Sequence, residues 1–471
     1  MRNSKLFVGV FAAFSFFCLT AIFISQSDQL SGFFADRNTQ SVTKKSKKLE
    51  GRDLILGQAK EQSTEVTDEP SALFNDPAIK QAWGLKKSDA ARAWSVSRGS
   101  KKVIVAVIDT GIDINHEDLK TNLWKNPGET GLDSKGRDKA TNGIDDDSNG
   151  FIDDIYGWNF VSNNNKLDDN HGHGTHIAGI IGAEAGNKKG ISGISPEVSL
   201  MILKYYDPKV PNTDNLKNTV QSIQYAVKMG AHIINYSGGG TDFSQEEHDA
   251  IQAAERKGIL FVAAAGNERS NSDEHHYYPA DYKLKNIISV TAIDPTTEVL
   301  SSSNYGTETV DIAAPGQNIL SCLPGSTYGL MTGTSQATAF VTGAAVLVMS
   351  HKNLLGDPQE VKKYILATGD TSQSLISKTK TSRQLNLFKA LTILDGENKT
   401  FTGISNNIKS PAFVNKPEQF DDPNLKNKNS KNLSQVTQFG KEFIQAVEKG
   451  SRPKKKSADR LATELDKENT N

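Results

Sequence analysis

Apolar and polar positions change their period along the middle of this chain, and the changes mark out elements. Mostly apolar runs at 103–108, 198–203, 231–235, 259–263 and 287–291 predict buried strands. Between and after them, 174–183, 215–229, 244–257, 335–350 and 358–367 carry helical patterns. Strand–helix alternation predicts an α/β fold, with a mostly parallel central sheet covered by helices on both faces. SRQLNLFKAL (382–391) predicts one more short helix.

The flanks read differently. Arg2 and Lys5 precede an uncharged apolar stretch from Leu6 to Ile24, the pattern of an export leader over residues 1–27. Ser25 and Ser27 fit a small-x-small cleavage site before Asp28. The stretch is also long enough to span a bilayer, so a cleaved signal peptide and a retained anchor both stay open. Either way the bulk of the chain is expected to cross. The expected location is periplasmic, cell-surface or extracellular, with membrane contact only through 6–24 if the leader is uncleaved. Residues 28–70, with KKSKK at 44–48, read as a polar linker or disordered segment, and 71–395 hold the alternating pattern. Residues 396–471 read as a disordered tail. Leu433, Val436, Phe439, Phe443 and Val447 permit one short helix there.

Composition narrows the partners. The 471 residues are 36% hydrophobic and 23% charged with a net charge of −1, which gives no reason to expect nucleic acid. A monomer is expected. The chain has two cysteines, Cys18 in the leader and Cys322, so no disulfide framework is expected and Cys322 reads as an inert buried thiol.

The chemistry centres on GTSQATAFVTG (333–343). Gly333 reads as a tight turn and Thr334 as an N-cap, which puts Ser335 in the first turn of a helix. Backbone N–H groups there carry partial positive charge, which suits a nucleophile whose attack creates an oxyanion. A serine needs a base, and the base an orienting acid. VIVAVIDTGID (103–113) ends an apolar run at Asp109, the strand end where α/β sheets place functional residues. HGHGTHIAGI (171–180) puts His173 between glycines at the mouth of a helix, while His176 reads as a packed helix histidine.

DTG at 109–111, HGTHIAG at 173–179, AAAGN at 263–267 and GTSQAT at 333–338, in that order, resemble the subtilisin-like serine proteases (subtilases) over about residues 75–395. The resemblance implies a subtilisin-like three-layer fold and an endopeptidase working through an acyl-enzyme intermediate on polypeptide substrates. It assigns Ser335 as nucleophile, His173 as base, Asp109 as orienting acid and Asn267 as oxyanion donor. It also implies that the edge at Ser237, Gly238 and Gly239, with Ala264 and Gly266, binds the substrate and lines the pocket for the residue before the scissile bond. Turnover is expected to fall on the acid side through a histidine pKa of about 6–7. Three positions depart from the family: Gly238 stands where a bulky apolar residue is usual, and Gln336 and Ala339 replace Met and Pro.

NGIDDDSNGFIDD (142–154) is a second candidate site. Asp145, Asp147 and Asn149 alternate, Gly150 follows, and Asp153 and Asp154 come next, as in the first half of a calcium loop. Tyr156 stands where an EF-hand would close with Glu, so this is not an EF-hand. Asp145, Asp147, Asn149 and Asp153 are the expected ligands of a structural calcium. Two other readings of the chain are a catalytically inactive relative that binds peptides and an envelope structural or adhesion protein.

Overall fold

The computed structural model describes residues 75–393. The leader at 1–27, the segment at 28–70 and the tail at 396–471 with its helix lie outside the described residues. In chain order the elements are α1 (Trp83–Lys87), α2 (Ala90–Trp94), β1 (Gly99–Asp109), β2 (Gly157–Asn159), α3 (His173–Gly182), β3 (Glu197–Lys204), α4 (Asn215–Lys228), β4 (Ile233–Tyr236), α5 (Gln245–Arg256), β5 (Leu260–Ala264), β6 (Ile287–Ile293), β7 (Ile312–Pro315), β8 (Ile319–Leu323), β9 (Thr327–Met331), α6 (Thr334–Lys352), α7 (Pro358–Thr368), β10 (Asp370–Thr371), β11 (Arg383–Gln384) and α8 (Leu387–Thr392).

The sheet runs β10-β11-β7-β6-β5-β4-β1-β3-β2, and β8 and β9 form a separate hairpin. Every pairing in the large sheet is parallel except β10 with β11. The strand at its centre shows why its sequence is apolar throughout. Side chains alternate across a strand. Val105 and Val107 of β1 enter the core under α3 and α6, whereas Ala106 and Ile108 enter the core with residues of α4 and α5. Both faces are covered, which makes this a three-layer α/β structure. Burying each such Val or Ile stabilises the fold by about 1.5–3 kcal/mol.

Helix α6 is buried from Thr334 to Met349, so its sequence is apolar or small on every side rather than amphipathic. The outer helices start on side-chain caps. Asp214, Ser244, Asp357 and Asn386 each accept an N–H from the first turn of α4, α5, α7 and α8. Cys322 is buried as expected, and burial first, then nearby carboxylates, holds its thiol well above the ordinary range. No helix among the described residues is long and apolar enough to cross a membrane.

Candidate active site

The motif residues gather at the carboxyl ends of β1, β4 and β5, the edge where parallel sheets bind ligands. Asp109 closes β1 and is 3% exposed. Its Oδ1 accepts the Thr110 N–H at 2.8 Å and lies 2.7 Å from His173 Nδ1. A carboxylate oxygen at Nδ1 selects, in the neutral ring, the tautomer with its proton on Nδ1. His173 is the first residue of α3. Burial pulls its pKa down, but the Asp109 charge and hydrogen bond, with Asp169 behind them, outweigh it and raise the imidazole above its ordinary value. The direction is upward because the charge of Asp109 lies against the ring and that of Asp169 acts from behind it.

Asp169 ties this pair together. Its Oδ1 accepts the Thr110 hydroxyl at 2.8 Å and the N–H groups of His171 and Gly172 at 3.0 and 2.7 Å. Its Oδ2 accepts the N–H and hydroxyl of Thr175 at 2.8 and 2.7 Å. Burial opposes the charge, but bonds from Thr175, Gly172 and Thr110 hold Asp169 below the usual carboxylate range. Thr110 in turn accepts the Gly174 N–H at 2.9 Å. A Cβ at Gly174 would fall 2.2 Å from the Gly111 carbonyl, so only glycine lets α3 approach β1 this closely. His176 faces the Ile319 and Gly329 carbonyls through Nε2 at 2.9 and 3.2 Å, and burial pulls it down to about 3.

Ser335 is the second residue of α6 and 6% exposed. Its hydroxyl donates to the Ser237 carbonyl at 3.3 Å. Two readings of this helix start are corrected. The N-cap is Gly333, and Thr334 is already helical. Gly333 has φ 161° and ψ 174°, extended backbone rather than a tight turn. Its small size has another use, since a Cβ there would fall 3.2 Å from Gln336 Oε1 and 3.5 Å from Asn267 Oδ1. Asn267 Oδ1 accepts both the N–H and the hydroxyl of Thr334, at 3.0 and 3.2 Å. A backbone N–H can bond only the amide oxygen, so the Asn267 orientation is fixed with its NH₂ as the remaining donor. Gln336 and Ala339 leave α6 continuous.

Ser237, Gly238 and Gly239 continue β4, and Gly266 follows Ala264 at the end of β5. Gly238 has a packing reason. A Cβ there would fall 2.5 and 2.8 Å from the hydroxyls of Tyr205 and Tyr236.

The acidic loop is built differently from its sequence pattern. Asp145 accepts the N–H groups of Asn149 and Gly150, and Asp153 accepts the Gly143 N–H. Glu129, Asp147 and Asp154 instead bring one oxygen each within 4.8 Å of one another. Asn149 donates its amide to both Asp147 and Asp154, at 3.2 and 2.9 Å. Asp154 also accepts from Tyr225 and Asn126, at 2.5 and 2.7 Å. Glu129 is wholly buried and its Oε2 has no hydrogen-bond partner. Burial first, then the charges of Asp154, Asp147 and Asp146, pushes its carboxyl up to about 7. Of the four expected ligands only Asp147 lies in this cluster. Glu129 sits in NPGET (126–130), far from the Asp run, and Asp154 is hidden behind the choice between adjacent aspartates.

Residues 100–390 match the Subtilase family. The chain belongs to this family, and its class is that of the subtilisin-like serine endopeptidases. It is 34% identical to the thermophilic serine proteinase of Bacillus sp. (strain AK1), over 69% of this chain and 72% of that one. Thermitase of Thermoactinomyces vulgaris is also 34% identical, over 59% of this chain and 85% of its own length. Among solved structures, fervidolysin from Fervidobacterium pennivorans, a keratinolytic enzyme related to subtilisin, superposes with a TM-score of 0.55 at 26% identity. That match covers 68% of this chain and 47% of fervidolysin.

Proposed function

We propose that this chain is an exported endopeptidase in which Ser335, His173 and Asp109 hydrolyse peptide bonds through an acyl-enzyme. The observation that carries the reading is the buried 2.7 Å pair between Asp109 and His173 Nδ1, which leaves Nε2 as a base. Ser335 Oγ attacks the substrate carbonyl carbon while His173 Nε2 takes its proton. The developing oxyanion is met by the Asn267 NH₂ and the Ser335 N–H at the start of α6. His173 returns the proton to the leaving amine, and the acyl group stays on Ser335. Water then attacks the ester, giving its proton to His173 and releasing the acid. Extended substrate pairs with the backbone of Ser237–Gly239 on one side and Ala264–Gly266 on the other. The export leader at 1–27 supports delivery across a membrane.

The pH profile tests this base. A neutral His173 is required, and its pKa lies above the ordinary 6.5. The rate constant kcat/KM on a peptide p-nitroanilide is expected to fall tenfold per pH unit below that raised value and to hold a plateau above it. An optimum near pH 4 would mean a carboxylate mechanism instead.

Calcium fits the Glu129, Asp147 and Asp154 cluster. Three carboxylates this close repel without a cation, and the buried Glu129 Oε2 has no protein partner to satisfy it. Asp145, Asn149 and Asp153 order the loop around it. Calcium bound to the native state alone adds about 2.7 kcal/mol when free calcium is a hundredfold above its Kd. Thermal melts of Ser335→Ala protein, which removes autolysis, are expected to drop when calcium is replaced by a chelator. Asp147→Asn, at an exposed position, is expected to weaken the response to calcium. Superimposable melts with and without calcium would rule the centre out.

A further inference from the structure

We infer that the ring of Tyr277 fills the slot for the side chain preceding the scissile bond, so that this protease accepts small residues there and disfavours large ones. The inference rests on the substrate path along Ser237–Gly239 and Ala264–Gly266.

β4 and β5 are parallel neighbours, with Tyr236 opposite Ala263. Their continuations therefore leave the sheet side by side. A substrate laid against both directs one side chain between them. On the two walls stand glycines, and what a Cβ would meet shows what occupies the space. At Gly239 a Cβ would fall 2.4 Å from Tyr277 Cε1 and 2.9 Å from Cζ. At Gly266 it would fall 3.0 Å from Tyr277 Cδ1. One aromatic ring thus lies against both walls at once. Gly239 and Gly266 are the residues that make room for it.

The ring is held in place from its own backbone. Tyr278 exchanges both N–H···O bonds with Gly240, at 2.9 and 2.7 Å, which pins the segment beside the end of β4. The Tyr277 N–H donates to Asp281 Oδ2 at 2.8 Å, and its carbonyl accepts the Asp281 N–H at 3.1 Å. Tyr278 stacks on Tyr282 with ring centroids 4.8 Å apart. Glu268 closes the far side, its Oε2 2.4 Å from the Cβ position of Gly266 and 2.8 Å from Asn304 Nδ2. A phenylalanine side chain entering this slot has to displace the Tyr277 ring, whereas an alanine methyl does not. Overfilling a packed site is costly, and large discrimination follows.

The test uses the full chain and two substrates, succinyl-Ala-Ala-Pro-Ala and succinyl-Ala-Ala-Pro-Phe p-nitroanilide. Active sites are counted by fluorophosphonate titration, which does not depend on this slot. The wild type is expected to favour Ala over Phe in kcat/KM by about tenfold or more. Tyr277→Ala is expected to shift the Phe-to-Ala ratio by at least about tenfold toward Phe. Tyr277→Phe, which keeps the ring, should retain the wild-type ratio. A wild-type preference for Phe overturns the inference whatever the variants do. So does an unchanged ratio in titratable Tyr277→Ala. Failure of the wild type to react with the fluorophosphonate would instead remove the proposed nucleophile, and this inference with it.

Discussion

Ser335→Ala is expected to lower turnover on peptide substrates by about 10⁶-fold, the order found for the nucleophile of subtilisin. The change removes one oxygen and nothing that holds α6 in place. That hydroxyl makes a single long bond, 3.3 Å to the Ser237 carbonyl, so the stability change should be about 1 kcal/mol or less. Melting therefore stays near the wild-type value while hydrolysis disappears. The residual rate comes from the oxyanion donors and substrate binding, which the substitution leaves standing. Progress curves at matched protein concentration, paired with thermal melts, check both halves. Equal hydrolysis by mutant and parent would contradict the role of Ser335, as would a loss of activity explained by unfolding.

Asp109→Asn is expected to cost about 10⁴-fold in turnover near neutral pH. The amide keeps the size of the side chain, and its oxygen can still accept the Thr110 N–H. What it lacks is the charge that stabilises the imidazolium formed during attack. The same charge is what raises the His173 pKa against the pull of burial. Its removal leaves burial the larger influence, so the acid limb of the residual activity should move to lower pH than in the parent. Asp169 keeps its bonds to Thr110 and Thr175, which hold the start of α3 beside the end of β1 in the variant. A variant that loses little activity, or whose acid limb stays put, would show that Asp109 acts only as packing.

Where a single stretch of chain determines an element, the sequence was informative. Helices α3 to α7 begin and end close to their predicted limits, because caps and apolar spacing are local. The apolar runs of β1, β3, β5 and β6 were likewise visible. β4 begins at Ile233 rather than at 231, because the Ala231 N–H turns back to the Ala226 carbonyl at the end of α4. The missed strands are short or irregular. β7 is four residues ending in Pro315, and β10 and β11 are two residues each. The β8–β9 hairpin turns at Pro324-Gly325-Ser326, between two strands of five residues each.

The candidate site was legible as far as its motifs reach. Asp109, His173, Asn267 and Ser335 stand in recognisable strings, and the structure sets Asp109 against His173, and Asn267 against Thr334 beside Ser335. Residues that act through distant partners were hidden. Asp169 binds Thr110 across 59 positions, and nothing near it announces that bond. Tyr277 reaches Gly239 only because Tyr278 pairs with Gly240. Glu129 joins the acidic loop because the chain folds back, with its Oε1 on the Asp146 N–H at 2.8 Å.

The most direct test is to treat the wild-type chain with a fluorophosphonate and map the adduct by mass spectrometry of its peptides. The expected result is one adduct, on Ser335, formed faster as pH rises through the His173 pKa and absent after denaturation. An adduct on another residue, or none on protein that is folded, would contradict the assignment of Ser335 as the activated nucleophile.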